Sequence, residues 1–195
     1  MKTLLISAAF AAAVIAPSAA SAQAIPAAVV AVVDLDRVTS QCNACKTAKA
    51  ALTSQVAAEE SREKALLAPL KTEQESIQGA VDALKGKEPD AALQGRIKAF
   101  QTKYQQAQES AGRGRAQLQA NAAYVQKQVQ EKLGPIYQQV MQRRGANVMV
   151  ELGATLAMAA NVDVTNDVLN ALNPSMPTIA TVAPAAPAPK QPQGR

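Results

Sequence analysis

Histidine and tryptophan are absent from the 195 residues, and aromatic side chains make up only 3% of them. Without histidine no Ser-His-Asp or Cys-His catalytic arrangement can be assembled, and a zinc site would have to rest on cysteine and carboxylate alone. The two cysteines, Cys42 and Cys45, lack the following histidine of a haem-attachment motif, because Lys46 stands there. The balance of 20 Lys and Arg against 15 Asp and Glu is basic, but so few aromatics give nucleic-acid bases little to stack on. The expectation is a protein that is not an enzyme, with no catalytic residue, metal site, cofactor or nucleic-acid partner.

Long apolar runs are also scarce. One covers residues 4–15, preceded by Lys2 and followed by Pro17 and Ala20-Ser21-Ala22, which together have the three parts of a secretory signal peptide. Cleavage is expected after Ala22, with Ala24 as the second choice. The run is too short to cross a bilayer as a helix, and nothing later approaches about 20 uninterrupted apolar residues. The mature chain is therefore read as soluble and exported. Export means an oxidising environment, so a local Cys42–Cys45 disulfide is the leading reading, with an interchain bond or two free thiols behind it. A redox-catalytic role lacks the thioredoxin-like βαβ setting that it needs.

What the chain does have is helical periodicity. Leu93, Ile97, Phe100, Tyr104, Ala107, Ala111, Leu118, Val125, Val129, Leu133, Ile136 and Val140 recur at steps of three and four, with a slip after Val125. A fainter stripe runs through Leu52, Val56, Leu66, Leu70, Ile77, Val81 and Leu84, and the turn formers Gly86, Pro89 and Asp90 separate the two. This predicts an antiparallel helical hairpin over residues 41–135, turning near 86–90. A first arm over 41–85, capped by Thr39 or Ser40, would extend about 65 Å at 1.5 Å per residue. Pro69 should bend it, and Pro135 should kink the second arm where it returns to the body.

Residues 41–145 hold sixteen Lys or Arg against ten Asp or Glu, so the arms carry the positive charge and point to anionic partners, including an anionic membrane surface. Abundant alanine, Gly114, Asn121, Glu63 and Glu73 thin the seams. Apolar ribbons left over must bury against another subunit or serve as a contact surface.

Around the arms, residues 23–40 and 136–173 read as a small β-containing body. Val29 to Val33 have the composition of a buried strand. Residues 147–151 and 154–159 read as two strands of a hairpin about Gly153, and Thr165 as the cap of a short helix over 166–172. From Pro174 to residue 195 the Pro/Ala-rich composition predicts a disordered or polyproline-like tail.

The order strand, long hairpin, strands and short helix behind a signal peptide resembles the Skp/OmpH family of periplasmic chaperones. The residues that carry the likeness are Val32-Val33-Asp34-Leu35-Asp36-Arg37-Val38, Leu133-Gly134-Pro135-Ile136, and Val162-Asp163-Val164-Thr165-Asn166-Asp167-Val168-Leu169-Asn170-Ala171-Leu172-Asn173. The two cysteines and the proline tail depart from the family pattern. The resemblance implies a mainly α fold whose helical arms project from a β-stranded trimerisation domain. It also implies a homotrimer whose arms enclose a cavity, where unfolded outer-membrane β-barrel proteins are held without ATP. The alternative is a structural or adaptor coiled coil of the cell envelope.

A holder of unfolded barrel proteins needs diffuse apolar area and positive potential rather than a shaped pocket. The candidate client contacts are Leu66, Leu67, Ile77, Leu84, Ile97, Phe100, Tyr104 and Leu118, with Lys71, Lys85, Lys98, Lys103, Arg113 and Arg115 supplying charge. For each apolar member the competing role is packing inside the hairpin.

Overall fold

The computed structural model describes residues 25–184. The expected signal peptide at 1–22 and the tail beyond 184 lie outside that range. Strand β1 (Val30–Val33) leads into helix α1 (Leu35–Gln41), then the long helices α2 (Asn43–Ala83) and α3 (Ala91–Arg144). Strand β2 (Val148–Glu151), two 3-10 turns (Leu152–Ala154 and Ala160–Val162) and helix α4 (Thr165–Ser175) complete the order. At 1.5 Å per residue, the 41 residues of α2 and 54 of α3 extend about 60 and 80 Å.

Helix begins earlier than Thr39 and Ser40 suggested, as the separate short α1, and the first arm itself begins later, at Asn43. Asp34 caps α1 by accepting a hydrogen bond from the Arg37 N–H at 2.8 Å. Thr39 and Ser40 are interior residues whose hydroxyls bond carbonyls one turn back, at Leu35 and Arg37. Cys42 then leaves helical geometry (φ −55°, ψ 129°) and caps α2 through its sulfur, which accepts from the Cys45 N–H at 3.2 Å. A carboxylate at the end of a strand is the better cap, and it takes the position first. Pro69 and Pro135 both sit inside continuous helices.

At the arm tip Lys85 and Gly86 take positive φ (46° and 88°), and Asp90 caps α3 by accepting from the Leu93 N–H at 2.8 Å. Gly145 ends α3 in the left-handed conformation (φ 67°), with the Ala146 N–H reaching the Met141 carbonyl.

The sheet corrects the expected hairpin of residues 147–151 and 154–159. β2 pairs in parallel with β1, Val30 opposite Val148 and Val33 opposite Glu151, across the whole helical excursion. Residues 154–159 form no strand; the 3-10 turn at Leu152–Ala154 leads the chain outward, and Leu156 is fully exposed. The other side of β1 is engaged by a parallel bridge from Val32 to Asp163 and by the Val164 N–H on the Val32 carbonyl at 2.9 Å. β1 thus lies in the middle, which is why Ala31, Val32 and Val33 are all buried.

Thr165 is the first residue of α4 rather than its cap. Its buried hydroxyl accepts from the Asp34 N–H at 3.0 Å, while the Asp163 carboxylate takes the Thr165 N–H at 2.8 Å. Val38, Val140, Val168 and Leu172 close the core with no exposure, each contributing about 1.5–3 kcal/mol of burial. Pro174 belongs to α4, and Met176 is buried against the same core. The expected disordered tail therefore does not begin at 174, because an apolar anchor and hydrogen bonds hold residues 176–184 to the arms.

Candidate functional site

The apolar candidates divide by depth. Ile77 is buried between the arms; Leu66, Leu67, Leu84, Ile97, Phe100 and Leu118 are half-buried; Tyr104 is exposed. Phe100 and Tyr104 stack one turn apart, ring centroids 5.9 Å. Leu70, Leu93, Ala107 and Ala111 are more deeply buried, so the half-buried residues keep part of their apolar area open to solvent along both arms. Such area is held in place but still open to another chain.

The cationic candidates are all exposed, and they fall into two groups. Lys103 reaches Glu73 across the arms at 3.0 Å, Arg115 reaches Glu63 across the arms, and Arg113 lies 3.9 Å from Glu109 on its own helix. Hydrogen bonding to Glu63 raises the Arg115 guanidinium above its usual range. Lys71, Lys85 and Lys98 make no ion pair among the described residues. Positive charge is therefore partly bound into holding the arms in register and partly available.

A further cross-arm clamp was not among the candidates. Arg62 bonds the Glu59 carboxylate and also reaches Ser110 on α3, its hydroxyl and its carbonyl each at 2.9 Å. The hydrogen bond from Arg62 holds the Glu59 carboxyl below its usual range. Only the i,i+3 spacing of Glu59 and Arg62 hinted at it.

At the root of the arms a groove of about 980 Å³ has apolar walls from Leu35, Leu52, Val125, Val129, Leu133 and Tyr137. Burial, followed by the nearby Glu151 charge, raises the Tyr137 phenol. Cys42 and Cys45 stand at the α1–α2 joint beside this groove as a bonded pair, Cα atoms 5.1 Å apart. Among the described residues there is no cluster of three or more His, Cys, Asp or Glu with metal-binding geometry, and no helix is long and apolar enough to cross a membrane.

Three carboxamides were also missed. Gln55 and Asn121 bond each other across the arms, and together with Gln128 they hold the segment that follows α4. Asn121 interrupts the apolar series, yet it is 4% exposed. A polar residue buried at a seam position was the available signal.

The model of the family described as Outer membrane protein (OmpH-like) matches residues 29–172. Among solved structures, an OmpH-like protein from Caulobacter crescentus CB15, assigned to the outer membrane chaperones, superposes with a TM-score of 0.68 at 18% identity. The match covers 84% of this chain and 94% of that one. No curated protein matches the chain. With the family pattern running from β1 through the arms into α4, the chain belongs to the OmpH-like outer membrane protein family.

Proposed function

We propose that this protein is an ATP-independent holdase of the periplasm, which keeps unfolded outer-membrane β-barrel proteins from aggregating in a cavity between the arms of a homotrimer. The observation that carries this reading is the set of half-buried apolar residues spread along the two long helices α2 and α3, in the same arms as the exposed Lys71, Lys85 and Lys98, unpaired among the described residues. An unfolded barrel strand alternates apolar and polar side chains, and a surface offering both area and positive potential suits it without a shaped pocket. The family membership and the chaperone assignment of the Caulobacter structure support the same reading.

The body supports a trimer. Among the described residues the sheet has two strands; Val30 and Val148 within it are 41 and 39% exposed, Val29 just before it is 49% exposed, and Leu156 projects fully. A two-stranded unit is marginal alone, and such an apolar edge calls for more strands or another covering. Holding needs no cofactor, and the same cationic arms would favour an anionic membrane surface over nucleic acid.

The test is dilution of a urea-denatured outer-membrane barrel protein into the purified chain without nucleotide. Scattering should stay near baseline at a molar excess of trimer. Precipitation as fast as in buffer alone would reject the holdase and leave an envelope spacer as the reading.

A further inference from the structure

After α4 the chain does not leave the molecule. The Met176 N–H bonds the Leu172 carbonyl at 2.9 Å, and its side chain, 3% exposed, joins the core. Residues 177–184 then run without regular structure outward along the arms, Ile179 half-buried beside Ala44, Ala48 and Ala51. This strap lies beyond residue 172, where the family match ends.

Met176 and Ile179 are held by apolar packing, whereas the contacts that hold residues 180–183 are of one chemical kind. Gln128 pairs with the backbone of Ala180 in both directions, its Nε2 donating to the carbonyl at 2.8 Å and its Oε1 accepting from the N–H at 3.0 Å. Gln55 Nε2 donates to the Thr181 carbonyl at 3.1 Å, and Asn121 Oδ1 accepts from the Ala183 N–H at 2.8 Å. Asn121 Nδ2 in turn donates to Gln55 Oε1 at 2.8 Å, which fixes the orientation of both amides. Two carboxamides from α3 and one from α2 therefore do for an extended chain what a neighbouring strand would do. Over residues 180–183 side-chain recognition is slight: a 3.4 Å contact from Gln55 to the Thr181 hydroxyl, and Val182 64% exposed. A site that reads main chain is nearly indifferent to sequence, provided the residues facing it are small.

We propose that Gln55, Asn121 and Gln128 form a receptor for extended polypeptide backbone, and that the strap is its resident occupant, competing in cis with unfolded chains that enter the root of the arms. The identity of those chains as barrel proteins rests on the holdase reading; the receptor does not. A tethered occupant acts at an effective concentration in the millimolar range, so an unfolded segment must displace it, and its apparent affinity is the intrinsic affinity multiplied by the fraction of time the site stands free.

Two measurements test this. A labelled peptide of residues 177–195, and one of the same composition in scrambled order, are titrated against the full chain and against a chain ending at Met176, which keeps the anchor in the core. Both peptides should bind the shortened chain at least tenfold more tightly than the full chain, and Gln128→Ala in the shortened chain should abolish that binding. Equal binding to the two chains, or binding of the native-order peptide alone, would overturn the proposal.

In the second measurement, hydrogen exchange at the Ala180 and Ala183 amides of the full chain should be slow and should accelerate when denatured barrel protein is added and held in solution. Protection that persists while client is held would make the strap a structural brace and overturn the proposal. Should the peptides discriminate while no barrel protein is held at all, the receptor stands and the holdase reading falls.

Discussion

Asp163 is one of the residues that join the first strand to the start of α4. It bridges to β1, accepts the Thr165 N–H, and lies 3.6 Å from the Arg37 guanidinium. Hydrogen bonding from the Thr165 hydroxyl holds its carboxyl below the usual range, opposed by desolvation and aided by the Thr165 N–H and by Arg37. A folded-state value below the unfolded one means the stabilisation is complete above the ordinary carboxylate range, about pH 4. It is lost as pH falls through that range toward the lowered folded value. Asp163→Asn should therefore flatten the acid limb of stability, read by urea unfolding between about pH 5 and pH 3. Glycines in α3 offer a second contrast at this scale. A methyl group at Gly112 meets nothing within 4 Å, whereas one at Gly114 would collide with the Glu59 carboxylate and lie 2.6 Å from Arg62 Nη2. Gly112→Ala should stabilise by about 0.5–1 kcal/mol, the difference in helix propensity. Gly114→Ala should forfeit most of that gain by displacing the clamp to Ser110, a difference visible in paired thermal melts.

At the scale of elements, the second arm was the most legible part of the sequence. Its stripe buries Leu93, Ala107, Ala111, Val129, Leu133, Ile136 and Val140, because an apolar face at helical spacing has few other ways to leave water. The interruption at Asn121 was read as a weak seam, and periodicity could not show that the residue serves a third segment. The break at Cys42 was hidden for a similar reason: cysteine is not a recognised helix cap, and Thr39 and Ser40, standard capping residues, lay nearer the expected start of the long helix than Asp34. The expected pairing of 147–151 with 154–159 followed sequence proximity, while the partner actually used stands more than a hundred residues away. As for the candidate contacts, spacing could not separate buried Ile77 from exposed Tyr104, nor tell which cations an opposing carboxylate would engage. That division has a measurable outcome. At about 1 M salt the screening length falls to about 3 Å, so client affinity should drop several-fold while arm helicity by circular dichroism stays unchanged. Salt-insensitive binding would show that Lys71, Lys85 and Lys98 do not take part.

For the whole molecule, the small body has to support arms that contribute little stability of their own. Its core is contiguous, from Ala31 and Val38 through Leu133 and Val140 to Leu172 and Met176, yet its sheet ends in exposed apolar residues. On the proposal of a trimeric holdase, Leu156→Glu should leave the arms helical and give a monomeric mass by light scattering, with holding of denatured barrel protein lost at the same concentration. A trimer that survived this change would place the interface elsewhere on the body. The parallel pairing of β1 with β2 has a further consequence for how the protein comes together. Val30 and Val148 can join only by closing a loop that contains both arms, and the entropy of that closure grows with the logarithm of loop length. Zipping α2 against α3 first shortens the path between the loop's ends, so sheet formation follows helix docking in time. Until then the β-branched amino-terminal strand waits, a sticky and unsatisfied segment, for a mate that the zipper delivers last.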